Sequence, residues 1–216
     1  ALAPASVQEM ADFVGLAFDL AFKYRNPAII LADGVIGQMM EKVVLPEQRP
    51  RLTNEEVMAR CPWATFGKLK HRGPNIVTSL ELDPAEMEKR NIHLQQKYAE
   101  IEEKEVRYEE IHCDDAEYLI VAFGSCARIA QKAMEEARAE GIKVGLLRPI
   151  TLWPFPSKAI AERSRQVKGI LTVELNAGQI RLAVECKVPV EYFGRLGGIV
   201  PDPDEVVTAL KEKIIK

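Results

Sequence analysis

The chain has 216 residues, with 29 Lys and Arg against 32 Asp and Glu and a formal net charge of −3. That balance excludes the strongly basic footprint of a nucleic-acid binder and the polybasic patch of a membrane-surface protein. Hydrophobic residues make up 47% and charged residues 28%, which excludes a chain disordered throughout, and no apolar run approaches the roughly 20 residues that cross a bilayer.

Ala1-Leu2-Ala3-Pro4 reads as the tail of a strand, as if the chain started inside a fold. Ser6-Val7-Gln8-Glu9 has the S-x-x-E pattern of a capping box, in which Ser takes the Glu9 amide and Glu9 reaches back to the Ser6 amide. Met10, Phe13, Val14, Ala17, Phe18 and Ala21 then keep helical spacing to about Tyr24, and Asn26-Pro27 stops the helix. Ala28–Ala32 is a continuous apolar run, expected as a strand buried on both faces. Strand tail, helix and strand together make most of a βαβ unit. Asp33-Gly34 follows that strand, where ligands gather in open α/β sheets. The same pair is also a common turn, and both readings stay open.

Pro46, Pro50, Pro62 and Pro74 break any long element between 46 and 80. Lys68, Lys70, His71 and Arg72 form a short basic cluster, either an anion site or a solvated loop. From Asp83-Pro84 to about Arg107 the pattern is helical and highly charged, with Asp83 as cap and Pro84 at the first helical position. Its stripe of Leu94, Tyr98 and Ile101 is narrow, which suits a connector lying on a neighbour.

The last hundred residues alternate strand and helix. Tyr118–Phe123, Lys143–Leu147, Lys168–Val173 and Lys187–Val190 read as strands, Ala127–Glu140 as a helix ended by Gly141, and Asp204–Ile215 as a final helix. The expected class is α/β, a mainly parallel sheet with helices on both faces. Divisions at 1–45, 46–112 and 113–216 follow from these changes of character.

Gly124-Ser125-Cys126-Ala127 lacks both common phosphate-loop spacings, and Ser125 has no G-x-S-x-G around it. Cys126 opens a helix, where a thiolate would be favoured, although a buried inert thiol is the more frequent case. Cys61, Cys113, Cys126 and Cys186 form no C-x-x-C, so a metal or iron–sulfur site held by this chain is not expected. Free thiols without a signal peptide point to the cytoplasm. His71, His93 and His112 read as surface residues, and Glu102-Glu103 and Asp114-Asp115 as solvated charge. Arg148–Pro156 packs three prolines and two aromatics into a rigid corner that presents Trp153 and Phe155 to a neighbour. Asn176 is a helix cap after a strand.

Leu147–Pro156 with Val173–Gln179 resembles the C-terminal domain of transketolase-like, thiamine-diphosphate-dependent enzymes, and within them the alpha-type subunit of 2-oxoacid:ferredoxin oxidoreductases. Leu2–Met10 and Pro27–Gly37 resemble the second half of that subunit's pyrimidine-binding α/β domain, and Ser79-Leu80 with Gln96-Lys97-Tyr98 its connector. The branched-chain 2-oxoisovalerate type fits best, the 2-oxoglutarate and pyruvate types less well. The resemblance implies oxidative decarboxylation of a 2-oxoacid to acyl-CoA, with electrons passing to ferredoxin. It implies thiamine diphosphate and Mg shared with a beta-type diphosphate-binding subunit, coenzyme A as substrate, and iron–sulfur clusters on other subunits, gamma- and delta-type among them. Nucleic acid and membrane are not expected partners. The resemblance places the cofactor-activating glutamate ahead of Ala1, so no catalytic residue carries over and the chain alone is expected to be inactive. Asp33, Gly34 and Gln38 match the stretch facing the cofactor. Two alternatives remain: an assembly module without turnover, or a beta-type subunit of a transketolase or 2-oxoacid dehydrogenase. A ferredoxin-like companion favours the first-named enzyme, and a lipoyl-domain companion the last.

Overall fold

The computed structural model describes residues 1–64, 73–180, 189–195 and 199–215. They form two compact units, residues 1–45 with 98–216, and residues 46–97. The basic cluster Lys68–Arg72, Cys186 and the start of the expected fourth strand at Lys187 lie outside the described residues.

The larger unit is built on a five-stranded sheet of β1 (Tyr108–Ile111), β2 (Tyr118–Ala122), β3 (Val144–Pro149), β4 (Gly169–Glu174) and β5 (Val190–Gly194). Its order is β1-β3-β2-β4-β5. All pairings are parallel except β1 with β3. The chain moves from β2 outward to β3, then returns to the other side of β2 for β4. The carboxyl ends of β2 and β4 are therefore the topological switch point.

Side chains on β2 alternate as the pleat requires. Ile120 and Ala122 pack under α5 (Gly124–Ala139) and α7 (Pro203–Leu210), with Ala130, Met134, Val206 and Leu210. Leu119 and Val121 face the other way, onto Ala159 and Ile160 of α6 (Ser157–Arg163). Helices thus cover both faces, as the apolar runs imply. α5 begins at Gly124, three residues before the expected start, and Gly141 at φ 87° ends it. The chain beyond α7 continues as a π-helical turn, Lys211–Ile215.

The amino-terminal segment docks on this domain. α1 (Val7–Tyr24) begins at the Ser6 cap, whose hydroxyl accepts from the Glu9 amide at 3.1 Å. The second half of the expected box differs: Glu9 accepts from the Ala5 amide instead of that of Ser6, because its carboxylate is drawn to Arg148. Ala28–Ala32 is not a strand buried on both faces. Ile30 makes a single parallel bridge with Leu2, which also bridges Thr151. Ile29 is 58% and Leu31 51% exposed. Only one neighbouring strand is present for this run, so its apolar character is not matched by burial among the described residues. Val14 and Phe18 on α1 also face outward.

In the smaller unit, the short α3 (Asn54–Arg60) lies within the stretch where prolines break any long element. Thr53 and Glu56 form its capping box, a pattern present in the sequence but hidden among prolines. α4 (Pro84–Lys104) matches the charged helix, with Asp83 accepting from the Ala85 and Glu86 amides.

Limited trypsin treatment tests this arrangement. The exposed Arg51, followed by Leu52, precedes α3, so cleavage there leaves an amino-terminal fragment and the remainder. Across that cut Ala3 donates to the Ile150 carbonyl, Leu152 donates to the Ala1 carbonyl, and Glu9 pairs with Arg148, so the two pieces are expected to co-elute on size-exclusion chromatography. Separate elution without denaturant would contradict the single larger unit.

Candidate functional site

Asp33 ends the 28–32 segment and caps α2 (Gly34–Gln38). Its Oδ1 accepts from the Val35 and Ile36 amides, each at 3.0 Å. Its Oδ2 accepts from the Ser125 amide at 2.8 Å, in the first turn of α5. One carboxylate therefore closes the amino ends of two helices, where exposed N–H groups and the helix dipole favour an anion. It sits beside the carboxyl end of β2, at the switch point. Ile36, 2% exposed, anchors α2 beneath it.

Gly124 makes this approach possible. Its φ is 60°, and a Cβ there would lie 2.7 Å from Asp33 Oδ2. Gly124→Ala is expected to lower stability by about 1–3 kcal/mol, from backbone strain and displacement of the carboxylate. In the Asp33→Ala background the steric part disappears, so the two losses should not add. Additive losses in denaturant titrations would show that glycine and carboxylate act independently.

Cys126 follows Ser125 but is not a reactive thiol. Burial pushes its pKa up to about 12, and the Asp33 and Glu174 charges act in the same direction. The helix-terminal effect that would favour a thiolate is already used by Asp33. Ser125 Oγ is buried with no hydrogen-bond partner, and no described histidine touches it. Across the switch point, the fully buried Glu174 accepts from the Ile180 amide at 2.7 Å. Asn176 Oδ1 accepts from the Gly178 and Gln179 amides, the expected cap.

A second junction lies along β3. Arg148, 7% exposed, donates from both terminal nitrogens to Glu9, at 2.9 and 2.7 Å, and from Nε to Glu109 at 2.8 Å. Glu109 is its direct partner across the β1–β3 ladder. A third surrounds Glu105, 6% exposed. It accepts from Lys23 Nζ at 2.7 Å, Tyr24 OH at 2.6 Å and Arg107 Nη1 at 2.9 Å. Glu41 adds a fourth, pairing with Arg128 at 2.7 Å and accepting from the Val7 amide at 3.0 Å.

Of the three residues expected near a cofactor, Asp33 has both carboxylate oxygens engaged by the chain's own amides. Gly34 opens onto empty space and Gln38 is exposed. Among the described residues no cluster of His, Cys, Asp and Glu suits a metal ion. What Asp33 does is fix α2 against α5. Sequence reasoning identified Asp33 but missed Glu9, Arg148 and Glu105. An arginine inside the apolar run Val144–Pro149 was the available signal for the second of these; nothing marked Glu105 among its acidic neighbours.

Comparison with known proteins places this arrangement. Residues 1–112 match the family described as pyruvate flavodoxin/ferredoxin oxidoreductase, thiamine diP-bdg, and residues 116–206 match pyruvate:ferredoxin oxidoreductase core domain II. The chain is 47% identical over 215 residues to ketoisovalerate oxidoreductase subunit VorB of Methanothermobacter thermautotrophicus, covering 98% of this chain and 59% of that protein. It is 32% identical over 232 residues to 2-oxoglutarate synthase subunit KorA of Methanocaldococcus jannaschii, covering 97% of this chain and 62% of the relative. The chain thus spans about three fifths of the length of these relatives. A solved 2-oxoglutarate:ferredoxin oxidoreductase from Magnetococcus marinus, with 2-oxoglutarate, coenzyme A and succinyl-CoA bound, shares the fold at a TM-score of 0.73 and 20% identity, over 98% of this chain and 41% of that one. With more than half its length matched by the first of these descriptions, the chain belongs to the pyruvate flavodoxin/ferredoxin oxidoreductase family.

Proposed function

We propose that this chain is part of the alpha-type subunit of a 2-oxoacid:ferredoxin oxidoreductase acting on a branched-chain substrate, 2-oxoisovalerate. The reaction joins the acyl group of the 2-oxoacid to coenzyme A, releases carbon dioxide, and passes two electrons to ferredoxin. The observation carrying the substrate choice is the gap in identity, 47% to a ketoisovalerate subunit against 32% to a 2-oxoglutarate subunit over nearly the same residues. In the complete assembly, thiamine diphosphate with Mg is shared with a beta-type subunit and supplies the electron sink for decarboxylation. Iron–sulfur clusters reside on other subunits, with gamma- and delta-type subunits and ferredoxin as partners. The cytoplasm is the location this chemistry fits. The buried free thiols of Cys61, Cys113 and Cys126 support it, and no described helix is long and apolar enough to cross a membrane.

Within that assembly, residues 1–45 contribute to the pyrimidine domain, 46–112 connect, and 113–216 form the transketolase C-terminal-like domain. The role of this chain is positional. Asp33, Gly34 and Gln38 lie near the cofactor through α2, whose placement the Asp33 carboxylate holds. The 216-residue chain alone has no turnover and no tight site for thiamine diphosphate.

The test has two arms. Calorimetry of the isolated chain with thiamine diphosphate and Mg should show no tight binding. The full-length subunit, assembled with its companion subunits, should reduce ferredoxin with coenzyme A and 2-oxoisovalerate. Its kcat/KM should exceed that for 2-oxoglutarate by at least about tenfold, the scale on which an apolar pocket separates substrates. Preference for 2-oxoglutarate would overturn the substrate assignment, and absence of turnover with any 2-oxoacid would overturn the activity.

A further inference from the structure

A cleft of about 770 Å³ opens between the last turn of α4, the start of β1 and the Trp153–Ala159 corner. It lies entirely within the larger compact unit, away from Asp33 and the switch point. Tyr108, Trp153 and Phe155 line it, together with the carboxylates of Glu102, Glu103 and Glu162 and a single ammonium, Lys158.

The aromatic residues are displayed instead of buried. Trp153 is 40% and Tyr108 43% exposed. The Trp153 ring is nevertheless fixed, since Tyr98 packs against it edge to face, with centroids 5.7 Å apart and planes at 88°. Ordering this indole therefore requires no ligand, and a guest that stacks on it loses little additional side-chain freedom.

The carboxylates are equally available. Several acids elsewhere on the unit are paired: Glu9 and Glu109 with Arg148, Glu110 and Asp114 with Arg163, and Glu117 with Lys168. Glu102, Glu103 and Glu162 have no ion-pair partner among the described residues. Three unpaired carboxylates against one ammonium, around exposed aromatic rings, make a cleft that suits a cation with a flat face. Guanidinium meets both conditions: it stacks on aromatic faces and donates in a fork to carboxylates. Lysine satisfies only the charge.

We infer that this cleft is a docking site for an arginine-bearing segment of a partner polypeptide, with the guanidinium against Trp153 and its donors toward the glutamates. A continuous peptide is favoured over a free small cation because the cleft has the volume of a drug-sized site and an apolar floor of Pro154, Phe155 and Pro156 that residues flanking the arginine would cover. The inference does not depend on the activity proposed above. It would stand if the assembly used another substrate.

The test uses the 216-residue chain and a blocked hexapeptide carrying two arginines among leucines, measured by calorimetry. Saturable binding is expected, with Kd on the order of 0.1–1 mM at low salt and a loss of at least about fivefold at high salt. Replacing both peptide arginines with lysine should weaken binding about fivefold, and replacing them with glutamate should abolish it. Trp153→Leu should weaken binding about fivefold or more, as should the triple change Glu102→Gln, Glu103→Gln, Glu162→Gln. Circular dichroism checks the fold of each variant. Should the triple variant fail to fold, Glu102→Gln and Glu162→Gln read singly decide the matter. No saturable binding, equal binding of the glutamate peptide, or binding untouched by these substitutions would overturn the inference. So would arginine amide binding as tightly as the peptide, which would mark a small-cation site. Concentration-dependent dimerisation in sedimentation, lost in Trp153→Leu, would show that a second copy fills the cleft and would also overturn it.

Discussion

Glu9→Gln is expected to lower stability by about 3 kcal/mol, and the midpoint of thermal unfolding by roughly 6–12 °C for a chain of this size. Arg148 is almost fully buried and spends two of its nitrogens on Glu9. Removing that carboxylate leaves a desolvated guanidinium facing only Glu109, which is itself half exposed. The cost is mainly that of the stranded charge, not the net worth of the pair. The double change Glu9→Gln with Arg148→Met should therefore recover much of the loss. A double variant no better than the single one would show that Glu9 acts through its cap on Ala5 alone. The pH dependence carries the same signature. Burial raises the Glu9 pKa, but the Arg148 hydrogen bonds, the Ala5 amide and the Arg148 charge together hold it below 4.5. A carboxyl group whose folded pKa is depressed contributes fully above its unfolded value and progressively less as pH falls through the folded one. Wild-type stability should thus decline below about pH 4.5 more steeply than that of the double variant, whose clamp no longer titrates.

Much of the fold could be read from local pattern because parallel strands buried on both faces leave unbroken apolar runs. Tyr118–Ala122, Val144–Leu147 and Gly169–Val173 were legible for that reason, and α1 and α5 from their spacing. β1 was not, because Tyr108–Ile111 is an exposed edge strand whose acidic side chains pair with arginines on neighbouring elements. Ala28–Ala32 misled in the opposite direction: its composition records an environment that the described residues supply only on the Leu2 side. At the site, Asp33 stood out by its place after an apolar run. Its partner Ser125 lies 92 residues further on. No local pattern could show that the carboxylate and the glycine-led helix start would meet. The two readings open for Asp33, turn residue and site residue, meet in one structural fact: it is a helix cap, and the second helix it closes belongs to the other half of the unit.

Glu105→Ala is expected to cost about 2–4 kcal/mol, because it removes the one acceptor on which three donors converge. Lys23 and Tyr24 come from the end of α1, and Arg107 from the approach to β1. Tyr24 is 8% exposed, and its hydroxyl would lose its partner in a place water reaches poorly. Lys23 is half exposed and can return to solvent, so Lys23→Met should cost far less than the loss of the carboxylate. Glu105→Gln separates charge from shape: it keeps an acceptor for Tyr24 and should retain part of the stability. Burial raises the Glu105 pKa, but the hydrogen bonds from Lys23, Tyr24 and Arg107 prevail and hold it down to about 2. The folded pKa is below the unfolded one, so the contribution is complete above pH 4.5 and fades as pH drops toward 2. Glu105→Gln should flatten that acid limb, while Tyr24→Phe should lower stability and flatten the limb only in part, since Lys23 and Arg107 still hold the carboxyl down. If Tyr24→Phe flattened the limb as much as Glu105→Gln, the hydroxyl and not the cationic pair would be what depresses the carboxyl. The docking of α1 would then rest on a neutral hydrogen bond instead of on charge.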